Sequence, residues 1–127
     1  MIVTRTFTFS AAHHLTDYNG ECENPHGHTY RLAVSVEGPV KKDGLVIDFV
    51  ALKKFVQKKV LAKVDHRDLN DFFKNPSAEN IVMWIWKSLK NVGKDTKTSV
   101  KLAELTLWEG DTTSVTYDGN WKGSLEF

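Results

Sequence analysis

Four of the five histidines in this 127-residue chain fall between positions 13 and 28, and its only cysteine lies among them. The stretch Cys22-Glu23-Asn24-Pro25-His26-Gly27-His28 sets two imidazoles two residues apart. On a strand, side chains alternate with a period of two, so His26 and His28 share a face and converge on one point. Gly27 lets the backbone between them come close to whatever they hold. An upstream histidine, His13 or His14, can supply a third nitrogen. Three protein ligands with one position left open are the ligand set of a catalytic zinc site. Cys22 has no second cysteine to pair with. It is either a thiol available for chemistry or the fourth ligand of a closed structural zinc site.

The elements that must position these residues can be read from periodicity. Residues 2–9, Ile-Val-Thr-Arg-Thr-Phe-Thr-Phe, are β-branched and aromatic, with Phe7 and Phe9 on one face and Thr4, Thr6 and Thr8 on the other. If that strand runs on through the small residues Ser10, Ala11 and Ala12, parity puts His13, not His14, on the face of Phe9. Residues 16–21 read as an exposed loop. From His28 the alternation is clean: His28, Tyr30, Leu32, Val34 and Val36 on one face, Thr29, Arg31, Ser35 and Glu37 on the other. The histidines therefore belong to the packed face.

Asp48 is placed to cap a helix in which Phe49, Leu52, Val56, Val60 and Val64 face inward, while Lys53, Lys54, Lys58 and Lys63 form a solvated face. A short polar stretch, Asp65-His66-Arg67-Asp68, follows it. Ser77 caps a second helix with Glu79 in its first turn, and Ile81, Ile85, Leu89 and Val92 form its buried stripe. Trp84 and Trp86 read as packing residues. Residues 93–98 are expected as a loop and 99–109 as a strand with Ala103, Leu105, Leu107 and Glu109 on one face. Gly110-Asp111 turns the chain into a last strand at 114–117. The predicted order is β-β-α-α-β-β: an α+β fold, a four-stranded antiparallel sheet with both helices on one face.

Bulk properties narrow the functions. The length suits one domain over 1–127, small enough for a subunit interface to complete its burial. Hydrophobic residues are 41% and charged residues 26%, ordinary for a globular protein. Seventeen basic against sixteen acidic residues leave a net charge of +1, which gives no indication of a nucleic-acid or anionic-membrane partner. No apolar run is long enough to span a bilayer and the N-terminus lacks a leader pattern, so a cytoplasmic location is expected.

Taken together, Phe9-Ser10-Ala11-Ala12-His13, Cys22-x3-His26-Gly27-His28, residues 44–49 (Gly-Leu-Val-Ile-Asp-Phe), Asp65-His66, residues 76–80 (Pro-Ser-Ala-Glu-Asn) and Trp108-Glu109 resemble the 6-pyruvoyl-tetrahydropterin synthase family. The bacterial 6-carboxy-tetrahydropterin synthases of queuosine biosynthesis look most similar. The resemblance spans nearly the whole chain. It implies a tunnelling-fold subunit whose sheet closes into a barrel by oligomerisation, commonly a homohexamer of two stacked trimers with active sites at subunit interfaces. It implies zinc on His13, His26 and His28, a catalytic relay of Cys22, Asp65 and His66, and Glu109 as anchor of the pterin, with Ser77 and Glu79 nearby. The implied reaction is conversion of 7,8-dihydroneopterin triphosphate to 6-carboxy-5,6,7,8-tetrahydropterin with release of triphosphate and acetaldehyde. The Cys-x3-His spacing is shorter than the Cys-x5-His of the animal synthase and points away from a tetrahydrobiopterin role. Glu23 also creates Glu-x2-His-Gly-His, which resembles family members in which glutamate takes over and 6-hydroxymethyl-7,8-dihydropterin is formed for folate synthesis. A zinc-stabilised pterin-binding module without catalysis is the non-enzymatic alternative.

Overall fold

Two long strands carry the molecule because their inward positions are apolar for most of their length. In the computed structural model, residues 1–13, 26–71 and 73–121 are described, with the side chains at 26 and 27 outside that set. Strand β1, Ile2–His13, pairs antiparallel with β2, His26–Glu37. The register runs from Ile2 opposite Glu37 through Phe9 opposite Tyr30 to Ala11 opposite His28 and His13 opposite position 26. Phe7, Phe9, Ala11 and His13 are buried, while Thr4, Thr6, Thr8 and Ser10 are exposed. The strand does run on through the small residues, and His13 does share the face of Phe9.

Strand β4, Lys101–Glu109, pairs with β2, and β5, Thr113–Tyr117, pairs with β4. Ala103 does not share the inward face with Leu105 and Leu107. The register slips beside Ser35 and Val36, so that Leu102 faces Val36 and is buried while Ala103 is only half-buried. A bulge of this kind inserts one residue and flips the alternation beyond it.

Among the described residues the sheet has five strands, not the expected four. Residues Arg67–Asp68 form β3, parallel to β1 at Ala11 and Ala12, giving the order β3-β1-β2-β4-β5. Two hydrogen bonds dock it: the His66 N–H donates to the Ser10 carbonyl (2.6 Å), and the Ser10 N–H donates to the Asp65 carboxylate (3.0 Å). His66 makes the bend with a φ of 58°. A two-residue strand docked by hydrogen bonds to a distant part of the chain carries no hydrophobic period, which is why the sequence pattern does not reveal it.

The first helix spans 49–64: α-helical over Phe49–Val56, π-helical over Gln57–Leu61, α-helical again over Ala62–Val64. Asp48 caps it by accepting from the Val50 N–H (2.8 Å). Leu52, Val56, Val60 and Val64 are all 0% exposed. A four-residue step in an α-helix overshoots a full turn by about 40°, so this spacing would drift off the core. The wider π turn absorbs that drift. Phe49, expected inside, is 47% exposed, and Phe55 is buried instead.

The second helix, Ala78–Leu89, is capped by Ser77 accepting from the Asn80 N–H (3.1 Å). Ile81, Ile85 and Leu89 join the core. A short helix over Val92–Thr96 stands where a loop was expected. Its Gly93 lies against the residue just before β4: a Cβ there would come within 2.4 Å of the Val100 carbonyl oxygen, so no other residue fits without movement. Among the described residues, no helix is long and apolar enough to cross a membrane.

Candidate metal centre and active site

At the end of β1 the inward face changes from apolar to polar. His13 is 2% exposed, and its Nδ1 lies 2.8 Å from the Pro76 carbonyl oxygen, just before the Ser77 cap. A carbonyl only accepts, so Nδ1 carries the proton and the Nε2 lone pair faces the other way. There it meets His28, whose ring centroid is 4.8 Å away at 80°, and Glu109, the last residue of β4. Glu109 Oε1 lies 3.2 Å from His13 Nε2 and 2.9 Å from His28 Nε2. The Gly110 N–H donates to the Thr29 carbonyl (3.2 Å), and Gly110 turns with φ 73°, which together pin the end of β4 against β2.

Ligand atoms of His13, His28 and Glu109 all lie within 4.8 Å of one another. With His13 Nδ1 carrying the proton, a neutral His13 brings an acceptor nitrogen against a carboxylate oxygen. Such a group requires a positive charge between its members, either a proton or a metal cation. Burial opposes the charged form of His13, but the Glu109 hydrogen bond, the Pro76 carbonyl and the charges of Glu109 and Asp68 outweigh it and hold its pKa above the ordinary value. Two imidazoles and a carboxylate suit a zinc-like divalent ion, and the Pro76 contact is the kind of outer hydrogen bond that orients a ligating histidine.

The expected ligand set was His13, His26 and His28. The structure brings His13 and His28 together, and the register sets position 26 opposite His13. The His26 side chain, Cys22 and Glu23 lie outside the described residues. Glu109, expected only as a pterin anchor, lies against the imidazoles. Parity with Leu105 and Leu107 announced its inward face, but its neighbours come from a different strand. Tyr30, fully buried beneath the group, was read only as a packed position. Burial first, and the Glu109 charge second, push its phenol pKa far up, so it stays protonated.

Asp65 and His66 do come together. Asp65 Oδ1 lies 3.1 Å from His66 Nδ1 while also accepting from Ser10, which orients the 82%-exposed imidazole. His66 and His28 line the same open cleft, about 530 Å³, with Ser10, Ala12, Thr29 and Asp68. Ser77 serves as a helix cap, and Glu79 is exposed in a separate groove beside Tyr117 and Trp121.

The 6-pyruvoyl tetrahydropterin synthase family model matches residues 2–120. The chain belongs to the 6-pyruvoyl tetrahydropterin synthase family. A dihydroneopterin monophosphate aldolase from Pyrococcus furiosus is 45% identical over 104 residues, covering 82% of this chain and 85% of that protein. A putative 6-carboxy-5,6,7,8-tetrahydropterin synthase from Archaeoglobus fulgidus is 38% identical over 104 residues, covering 82% and 88%. The solved structure of the Caenorhabditis elegans 6-pyruvoyl tetrahydropterin synthase superposes with a TM-score of 0.82 at 32% identity, covering 94% of this chain and 96% of that one. The α+β fold with its mostly antiparallel sheet is thus that of the synthase family.

Proposed function

We propose that the protein is a zinc-dependent lyase that breaks the C1′–C2′ side-chain bond of a phosphorylated 7,8-dihydroneopterin. The observation that carries this is the convergence of His13, His28 and Glu109 at 2.9 and 3.2 Å, in a chain whose His66, held by Asp65, lines the same cleft as His28. His26 would complete the metal's histidines. When bound, the metal supplies a Lewis acid that favours loss of a proton from the substrate side chain. Glu109 accepts the pterin ring N–H and exocyclic amine as a bidentate pair, which fixes the ring. Cys22 or Glu23 removes the 2′-hydroxyl proton, the C1′–C2′ bond breaks, and its electrons pass into the C6–N5 imine of the dihydropterin. His66, oriented by Asp65, returns a proton at C1′.

This retro-aldol course gives 6-hydroxymethyl-7,8-dihydropterin and glycolaldehyde phosphate. It is favoured by Glu23 and by the 45% identity to an aldolase acting, by its name, on dihydroneopterin monophosphate. The second reading is 6-carboxy-5,6,7,8-tetrahydropterin with acetaldehyde and triphosphate, as in queuosine biosynthesis, favoured by the 38% identity to a protein named for that product. Mass spectrometry of products from the zinc-loaded protein with dihydroneopterin monophosphate and triphosphate separates them. A hydroxymethyl pterin that persists in Cys22→Ala and vanishes in Glu23→Ala is the expected result, and a carboxylated pterin establishes the second reading. No turnover of either substrate overturns both and leaves a zinc-stabilised pterin-binding module.

Assembly belongs to the same proposal. Among the described residues, β5 has a strand neighbour on one side only and β3 is two residues long. Open edges of this kind are commonly covered, and closure of the sheet into a barrel within a hexamer of two trimers would cover them. An active monomer in sedimentation would refute that assembly.

A further inference from the structure

Tyr30 is 0% exposed, and its hydroxyl is buried with no hydrogen-bond partner among the described residues. Phe9 stacks flat on the ring at 4.9 Å and 10°, while the edges of His13 and His28 meet it at 5.9 Å and 5.8 Å. These contacts fix the ring and would be made equally well by phenylalanine. The oxygen is therefore not explained by packing, and a buried hydroxyl without a partner destabilises a fold. Directly opposite Tyr30 in the β2–β4 register stands Glu109. Its carboxylate has two oxygens, and Oε1 is the one against the imidazoles.

We propose that Tyr30 is the positioning residue for Glu109: as the carboxylate turns from the imidazoles to receive a pterin ring, the Tyr30 hydroxyl donates a hydrogen bond to it and holds it in the plane of that ring. This rests on the reading of Glu109 as the pterin anchor. Glu109 then has two settings on one strand position. One lies over the two histidines; the other is steadied from below by the hydroxyl, at the cost of leaving that hydroxyl unsatisfied in the first. An oxygen that weakens the fold is kept because it strengthens binding.

The test uses Tyr30→Phe, Glu109→Gln and the double variant, all zinc-loaded, with neopterin as an unreactive probe whose binding is followed by calorimetry. Tyr30→Phe is expected to bind neopterin roughly ten- to a hundred-fold more weakly, the size of a lost hydrogen bond to a charged group. Its melting temperature should be unchanged or raised and its zinc content unchanged. In the Glu109→Gln background, removing the hydroxyl should change affinity little, because the two groups act as one unit. Unchanged affinity in Tyr30→Phe overturns the inference. So does an equal loss in both backgrounds accompanied by a lower melting temperature, which marks a purely structural residue. Failure of the wild-type protein to bind neopterin overturns both this inference and the reading beneath it.

Discussion

Strands β1 and β2 pass through two environments while keeping one geometry. Toward one end their inward row is Phe7, Leu32, Val34 and Val36, closed over by Leu52, Val56 and Ile81 from the helices. Toward the other it is His13, His28 and Tyr30, with Glu109 arriving from β4. The same alternation that builds a core in the first region builds a site in the second. The difference lies in what each region asks of its neighbours. An apolar side chain is satisfied by any close-packed surface. A buried imidazole needs a particular acceptor, and His13 finds it in the Pro76 carbonyl. The site end is therefore specified by single hydrogen bonds, and the core end by volume.

That contrast can be broken most strongly at the core end. Leu32→Ala, at a fully buried position, should cost about 2–5 kcal/mol of stability in chemical denaturation, with metal content per folded molecule unchanged. A loss of metal in the folded fraction would mean that the two regions are not separable. At the site end, His13→Ala should keep the fold and weaken zinc more than about 100-fold, since even outer hydrogen-bond partners are worth 10–100-fold. Metal analysis of Cys22→Ala beside it sharpens the point. Zinc retained there fits an open site, whereas zinc lost in both variants would indicate a closed structural site and remove the enzyme reading.

The smallest effect is the pH dependence. His13 has a folded-state pKa above its ordinary value, so in metal-free protein its protonation stabilises the fold. That contribution is fully present below about pH 6.5, the unfolded value, and is lost as pH rises through the raised folded pKa. Metal binding runs the other way, because the cation competes with that proton: zinc affinity should grow as pH rises through the same pKa. Melting curves across pH with and without zinc should therefore tilt in opposite directions. Parallel curves would place the metal elsewhere.

Much of this was legible in the chain. Parity along 2–13 and 28–36 put His13 and His28 on the packed face, and the caps Asp48 and Ser77 stand where helix-start chemistry placed them. Periodicity could not show β3, because two residues have no period. Nor could it show the helix over Val92–Thr96, where the missing side chain of Gly93 permits close contact with Val100. Phe49 looked inward by spacing alone, but it is the first residue of its helix, at the edge of the core, and Phe55 is buried instead.

The sequence by itself determined which residues face inward and which types of donor are available, because both follow from local alternation and composition. Only the tertiary structure decided which donors meet. His13, His28 and Glu109 come from three strands, and their convergence depends on two registers that a single strand's pattern does not encode. The hydroxyl of Tyr30, without a hydrogen-bond partner among the described residues, is of the same kind: its burial was written in the alternation, but whether an acceptor lies within reach is a property of the neighbouring strands.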